Sequence, residues 1–218
     1  APQWRTETVS TRQMSQDFRA GSLRRYRVRN TKPLTGPEVD LPIDAYVLGL
    51  WLANGATCSS KITCHEQDTE HYTAQIEQAG HTVRVKPISG KKAVSVYLDI
   101  GRAGVACEEG SFRDRLKKNR LLGAKRIPVE YLRASTEQRL ALLQGLMDGD
   151  GHAHERYAAG SLGFVDKTLF ASSVELIRSL GYAPRVYERK ARLGPRWHAE
   201  FRIFGSRTPF RMQRKIAR

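Results

Sequence analysis

Hydrophobic positions crowd one short stretch near residue 50. From Ala45 to Ala53 apolar side chains run nearly all the way round a helical wheel, with Val47, Leu48, Leu50, Trp51 and Leu52. The segment predicts a helix buried on most sides, with Asp44 placed to cap it. Gly49 and Ala53 stand four apart on one face, where missing side-chain bulk lets another helix approach closely. A second segment has the same design. Ser135 or Thr136 caps it, Glu137 and Gln138 fill its first turn, and Leu140, Leu142, Leu143, Leu146 and Met147 supply the apolar body. Gly145 and Gly149 repeat the four-residue step. Each helix ends on a short polar residue followed by glycine, Asn54-Gly55 and Asp150-Gly151, the expected terminator.

The order of elements beyond each helix repeats as well. After the first come a strand-like stretch from Ala56 to Cys64 that can close as a tight hairpin, a helix from Asp68 to Ala79, and strands near Thr82 to Ile88 and Ala93 to Ile100. After the second come a strand-like stretch from His152 to Phe164, a helix from Lys167 to Leu180, and strands near Arg185 to Arg192 and Trp197 to Phe204. The joints align: Gln78-Ala79-Gly80-His81-Thr82-Val83-Arg84-Val85 against Ser179-Leu180-Gly181-Tyr182-Ala183-Pro184-Arg185-Val186. Two copies of one element order are an internal repeat. The expected organisation is an N-terminal basic arm or linker over residues 1–40, a first repeat over 41–134 and a second over 135–218.

Within the strands, Thr57, Ser59, Lys61, Thr63 and His65 share one parity, opposite Cys58, Ile62 and Cys64. In the last strand Ala199, Phe201 and Ile203 face inward while His198, Glu200 and Arg202 face out, and Tyr187 shares an outward face with Arg185 and Arg189. Long polar and cationic side chains on a sheet suit contacts to phosphates and base edges, although an ordinary solvated face has the same pattern. The candidates for such contacts are Lys61, Thr63, Arg84, Lys86, His152, His154, Arg185, Tyr187, Arg189 and Arg202.

Charge strengthens that reading. The chain carries 37 Lys and Arg against 22 Asp and Glu, a net +15. Such a surplus favours a polyanionic partner, because each cation that meets a phosphate releases counterions. It does not separate DNA from RNA. Residues 182–218 alone hold 11 basic and 2 acidic side chains. The arm adds Arg5, Arg12, Arg19, Arg24, Arg25, Arg27, Arg29 and Lys32, and its closing run Lys32-Pro33-Leu34-Thr35-Gly36-Pro37 forbids a continuous helix. No apolar run approaches the roughly 20 residues of a membrane span, and no signal-peptide pattern opens the chain. Cys58, Cys64 and Cys107 are too few for a disulfide framework. The expected setting is the cytoplasm, at the nucleoid of a bacterial or phage host. Cys58, Cys64 and His65 lack the paired spacing of zinc modules, so the cysteines read as small core side chains.

The paired segments Val47-Leu48-Gly49-Leu50-Trp51-Leu52-Ala53-Asn54-Gly55 and Leu143-Gln144-Gly145-Leu146-Met147-Asp148-Gly149-Asp150-Gly151 resemble the motifs of the LAGLIDADG homing endonucleases, most of all the endonuclease domains of inteins in replicative helicases. The likeness covers roughly residues 41–218, and Leu122-Gly123-Ala124-Lys125-Arg126-Ile127-Pro128 resembles the stretch these domains carry before their second motif. With Ala1 first and Arg218 last, the residues of splicing chemistry are absent from both ends, so splicing is not expected of this segment.

The resemblance implies an α+β fold of two pseudo-symmetric αββαββ-type repeats, with a central two-helix interface and a saddle of antiparallel sheets for DNA. It implies a monomer that hydrolyses both strands of a double-stranded DNA target with Mg²⁺, for which Mn²⁺ can substitute. Asp150 matches the metal-binding acid of the second motif, and Asn54 stands where the first motif expects an acid. Gly55 and Gly151 stand beside them as metal-site backbone. Lys125 matches a lysine placed beside the metal, and Lys215 is its counterpart in the second half. An amide brings no charge to a dication, so Asn54 sets whether both strands, one or neither is cut. Asp148, two residues from Asp150 on the helix, is expected to point away from that metal and to pair locally. A non-cleaving sequence-specific DNA-binding module and an RNA maturase share this fold and charge, and both stay open at this point.

Overall fold

The computed structural model describes residues 5–99, 110–191, 194–204 and 207–216. Cys107 and the predicted strand ends at Ile100 and Arg192 lie outside the described residues. The chain forms two compact units, one through Thr31 and one from Lys32 onward.

The first unit holds a short helix, α1 (Thr11–Gln16), and a minimal hairpin of β1 (Arg19–Ala20) and β2 (Leu23–Arg24). Ser10 and Gln13 form a reciprocal capping box that satisfies the first N–H groups of α1. None of its helical residues is buried. Hydrogen bonding rather than a core organises this unit, which is less irregular than its composition suggests.

The larger unit opens with α2 (Ala45–Asn54), β3 (Lys61–His65), α3 (Thr69–Gln78), β4 (Val83–Pro87) and β5 (Ala93–Leu98). Two short helices follow, α4 (Phe112–Lys118) and α5 (Val129–Arg133). The order then recurs as α6 (Thr136–Asp150), β6 (His152–Ala153), β7 (Ala159–Phe164), α7 (Lys167–Ser179), β8 (Arg185–Ala191) and β9 (Gly194–Arg202), and one turn of helix, α8 (Gln213–Ile216), comes last among the described residues. The first sheet runs β3-β5-β4 and the second β6-β7-β9-β8, every pairing antiparallel. An isolated bridge between Gly55 and Ile62 stands where β6 pairs with β7 in the second sheet. The repeat is therefore structural as well as sequential.

The helix pair α2 and α6 is the centre of this unit, and its contact is backbone on backbone. A Cβ placed on Gly145 would lie 2.1 Å from the Tyr46 carbonyl oxygen, and one on Gly49 would lie 2.4 Å from that of Leu142. At Gly149 it would meet the Cβ of Ala53 at 2.4 Å. The four small residues of the two motifs thus face one another. Around them Val47, Leu48, Leu50, Trp51, Leu142, Leu143 and Leu146 are fully buried.

The two sheets are hung from matching joints. After α3, the Gly80 N–H bonds the Glu77 carbonyl and the His81 N–H that of Ile76. After α7, Gly181 bonds Arg178 and Tyr182 bonds Ile177. Both glycines have positive φ, 83° and 84°. These are two Schellman stops in one register, and glycine alone adopts that backbone without strain.

Two expectations need correcting, and a third holds for a packing reason. Glycines 55 and 151 follow the motif helices as expected, in extended conformation at φ −74° and −80°. Glycine is needed there because a Cβ would lie 2.4 Å from Trp51 or 2.6 Å from Met147. Cys58 is exposed, because residues 56–60 form the turn of a hairpin and only 61–65 alternate as a strand. Cys64 is buried as expected, and burial pushes its thiol up to about 11. Residues 32–40, read from sequence as part of the arm, are hydrogen-bonded into the larger unit. The Leu34 N–H bonds the Ser179 carbonyl, Gln138 brackets the backbone of Val39, and the buried Arg139 side chain bonds the carbonyls of Leu34, Ala134 and Ser179.

One polar contact makes the first repeat acid-sensitive. Burial disfavours the charged Asp99 carboxylate, but three donors outweigh it and hold its pKa below the ordinary range: the His81 Nδ1–H and the backbone N–H groups of Phe112 and Thr82. A depressed carboxylate pKa stabilises the fold above the unfolded value, near 3.9, and the contribution is lost as pH falls through the folded value. Asp99 has a positive φ of 53°, which asparagine tolerates equally, so Asp99→Asn keeps the backbone but loses one acceptor. It should cost about 1–3 kcal/mol at neutral pH. Denaturant titrations at pH 7 and below 4 should show the difference between the two proteins shrinking in acid.

Candidate active site and nucleic-acid face

Helices α2 and α6 end side by side, and the residues they present there are not equivalent. Asn54 is the last residue of α2, half-buried, and its side-chain N–H lies 3.4 Å from the Tyr72 hydroxyl. A Cβ on Gly149 would be 3.6 Å from the same Asn54 nitrogen, so the amide sits directly against the partner helix. Asp150 is the last residue of α6. Its carboxylate accepts from an Arg196 N–H at 3.1 Å, and the same nitrogen bonds the Gly163 carbonyl at 3.1 Å. Burial raises the Asp150 pKa, while Arg196, Lys215 and Lys125 pull it back. Three cations thus converge on one carboxylate.

The two candidate lysines approach along matching paths. Lys125 donates to the Leu52 carbonyl at 3.0 Å, and Lys215 to the Asp148 carbonyl at 2.9 Å. Each carbonyl lies two residues before the terminal Asn54 or Asp150. Lys215 also donates to the carbonyls of Met147 and Gly151, at 2.8 and 2.7 Å. A helix C-terminus carries partial negative charge on unpaired carbonyls, which is where an ammonium is stabilised. Burial nevertheless pushes both lysines down to about 8, against the pull of Asp150 on Lys125 and of Asp148 on Lys215. Lys125 further lies 5.2 Å from the Trp51 ring centroid. Its loop is braced by Arg126, whose guanidinium bonds the carbonyls of Asn119 and Arg120.

Asp148 points away from this site, but its partners are not local. One carboxylate oxygen, Oδ2, accepts from the Tyr46 hydroxyl at 2.7 Å and from the backbone N–H groups of Arg211 and Met212 at 3.0 and 3.1 Å. Its other oxygen is buried without a hydrogen-bond partner among the described residues.

On the sheets, the candidate contact residues fall into cross-strand rows. Lys61, Tyr97 and Arg84 are in register, as are Thr63, Ser95 and Lys86. On the second sheet His152, Ser161, Glu200 and Arg185 form one row, and Gly163, His198 and Tyr187 the next. Tyr187 stacks on His198 with ring centroids 5.7 Å apart, and the Arg189 and Arg185 guanidiniums lie 5.2 and 5.9 Å from its ring. Arg202 pairs with Ala159 at the end of the strand. His152 and His154 are in edge contact at 5.2 Å, and His154 stacks on Tyr157 at 4.9 Å. Two functional candidates escaped the sequence reading. Arg196 shares the outward parity of His198, Glu200 and Arg202, a signal that was available. Tyr72 comes from α3 and could not be placed without the fold.

The donor chemistry can be tested against a divalent cation. Among the described residues no group of three His, Cys, Asp or Glu side chains could hold a metal. Asp150 supplies one carboxylate and Asn54 one amide oxygen, with the backbone of Gly55 and Gly151 adjacent. That set does not make an all-protein cage. It fits a hard cation such as Mg²⁺, which keeps several waters and shares oxygens with a substrate phosphate.

Two glycine-faced motif helices packed side by side, each followed by an antiparallel sheet, form the α+β arrangement that the resemblance to the LAGLIDADG homing endonucleases implied. No family model matches the chain. The replicative DNA helicase DnaB of Mycobacterium intracellulare is 28% identical over 224 residues, covering 88% of this chain and 33% of that protein. The chain thus spans about a third of the length of this relative. Among solved structures, I-DmoI in complex with its target DNA, a homing endonuclease, matches 73% of this chain and 86% of its own, with 14% identity and a TM-score of 0.49. The N-terminal LAGLIDADG domain of DUF199/WhiA matches 83% of this chain and 90% of its own, with 8% identity and a TM-score of 0.48. Among the described residues no helix is long and apolar enough to cross a membrane.

Proposed function

We propose that this chain is a site-specific double-stranded DNA endonuclease of the LAGLIDADG type, with one complete and one impaired half-site. What supports this reading is a single observation: the ends of both motif helices, the half-buried Lys125 and the buried Lys215 on equivalent carbonyls, and the Asp150 carboxylate come together at one place. A hard divalent cation held by Asp150 and the Asn54 amide oxygen would polarise a phosphoryl oxygen. The chain's own residues do the rest. Arg196 neutralises Asp150 until phosphate arrives, and phosphate competes for the same guanidinium. Lys125, pushed down to about 8 by burial and bonded to one carbonyl only, holds a proton that can pass to or from a water near neutral pH, whereas Lys215, with its three N–H groups on carbonyls, supplies positive charge beside Asp150. Lys61, Arg84, Lys86, Arg185, Arg189 and Arg202 meet the backbone of the duplex, and Thr63, Tyr187, His152 and His154 reach towards base edges.

Binding is tested first. Affinity for a selected duplex should fall roughly a thousandfold between 50 and 200 mM salt, as expected when several phosphates are neutralised. Replacing Arg185 and Arg189 by Ala should flatten that slope by about two phosphate equivalents. A flat salt response in the parent protein would sink the DNA reading, and preferential binding of structured RNA in competition would favour a maturase.

A further inference from the structure

The second half-site receives its lysine by an unusual route. Lys125 arrives on a loop of its own repeat, whereas Lys215 arrives on a C-terminal segment, residues 207–216, that is tied down across both repeats. In the second repeat, Asp148 Oδ2 takes two successive backbone N–H groups of the segment, Arg211 and Met212. Gln144 brackets it, donating to the Thr208 carbonyl at 2.9 Å and accepting from Arg211 Nε at 2.9 Å. In the first repeat, Arg211 donates to Gln75 at 2.8 Å and its guanidinium lies 4.2 Å from the Tyr46 ring centroid. Arg214 then grips Asp68, just ahead of α3, through two nitrogens at 2.5 and 2.6 Å. Phe210 and Met212 are buried, as is Lys215, at 9% exposure.

We infer that residues 207–216 form a strap that positions Lys215 in the second half-site, with Asp148, Arg211 and Arg214 as its positioning residues. This inference rests on the reading of Lys215 as part of the cleavage site. The physical case is one of entropy and direction. A lysine on an unanchored segment loses considerable side-chain and backbone freedom to sit on three carbonyls, and its desolvation opposes it further. The strap supplies that ordering through bonds made elsewhere. A bidentate Arg–carboxylate pair fixes both distance and orientation, which a single point charge does not. The anchors also divide by repeat, so the second half-site depends on α3 and Asp68 of the first. Among the described residues no such cross-repeat tie serves Lys125, whose bracing by Arg126 is local.

The test uses the whole chain with Asn54 replaced by Asp, and four changes within it: Arg214→Ala, Asp68→Ala, the reversal Asp68→Arg with Arg214→Asp, and Lys215→Met. Two readouts are taken. One is labelling of the Lys215 amine by an acylating reagent, located by mass spectrometry, which requires no catalysis. The other is nicking of each strand of a selected duplex with Mg²⁺, alongside duplex affinity. Arg214→Ala and Asp68→Ala should each raise Lys215 labelling about tenfold or more by local opening. Both should slow cleavage of the same strand that Lys215→Met slows, with duplex affinity little changed. The reversed pair should restore protection and cleavage together, an outcome that general loosening of the fold does not produce.

Unchanged Lys215 labelling in both single variants would overturn the inference. So would normal cleavage in those variants when Lys215→Met is impaired, because position would then not matter. If the parent cuts neither strand, the endonuclease reading fails by itself, and labelling of the singles against the reversed pair still decides whether the strap places Lys215.

Discussion

Gly145→Ala is expected to destabilise the larger unit by about 3 kcal/mol, and Gly145→Val to unfold it or part the two motif helices. Two effects oppose each other. Alanine in a helix interior is about 1 kcal/mol better than glycine, so an open site would gain stability. Here the new Cβ would lie 2.1 Å from the Tyr46 carbonyl oxygen and 2.9 Å from Gly49 Cα and the Leu50 nitrogen. All three are backbone atoms of the facing helix, so no flexible side chain can yield. The helices must separate, and the buried ring of Val47, Leu50, Leu142 and Leu146 loses contact along the seam. A loss of about 3 kcal/mol is a large share of the 5–15 kcal/mol that holds a typical domain. Denaturant unfolding at constant m-value measures it. Duplex affinity should fall with it, because each sheet is carried by one of the two helices. A stabilised Gly145→Ala protein would mean that the close contact between α2 and α6 is absent.

That seam was legible in the sequence because its physics is local. An apolar run with glycine or alanine four apart appears twice, and nothing but close helix contact explains both. The Schellman joints were legible for a similar reason: Gly80 and Gly181 occupy equal places in two aligned segments. Other features were hidden by composition. Helix α4 is dominated by Arg113, Arg115, Lys117 and Lys118, yet Ser111 and Asp114 form a full capping box and Phe112 and Leu116 are buried one turn apart. The i, i+4 pair was visible, but the charge around it obscured it. Helix α1 hid in the same way behind arginines, with Ser10 and Gln13 as its only mark.

The strap was out of reach for a different reason. Asp148 can be seen to turn away from Asp150, since two residues on a helix are about 200° apart. Its partners, Tyr46, Arg211 and Met212, are distant in sequence and two of the three bonds go to backbone. No residue type announces such bonds. Likewise nothing in the arginine-rich stretch after Tyr182 distinguishes Arg196 on Asp150 or Arg214 on Asp68 from cations left exposed on the sheet. The charge of that stretch reads as one property from sequence, and the fold divides it into ion pairs within the protein and cations left on the sheet face.

Replacing Asn54 by Asp is expected to raise Mg²⁺-dependent double-strand cleavage about tenfold or more, equivalent to about 1.4 kcal/mol of barrier. The parent protein should bind its site normally and cut slowly, nicking one strand or leaving both intact. The two helix ends have nearly the same cap geometry, so the new carboxylate enters a place shaped like that of Asp150. Its surroundings accept charge. Burial raises the pKa of the Tyr72 hydroxyl, so it keeps its proton; it accepts from Asn54 and points that proton at the Asp148 carbonyl, from which it can turn to an aspartate at residue 54. Lys125 sits on the Leu52 carbonyl nearby, and an added anion favours its protonated form. Two close carboxylates repel, and a hard dication relieves that repulsion, so the gain should appear only with metal present. In the restored background Asp150→Asn should abolish cleavage with little loss of duplex affinity, since Asp150 opposes the phosphates rather than attracting them. The measurement is strand-resolved cleavage of a defined duplex with Mg²⁺ and again with Mn²⁺. If the restored protein binds that duplex tightly and still cuts neither strand, the carboxylate pair is not what was missing. A non-cleaving DNA-binding module then becomes the better account of the same fold.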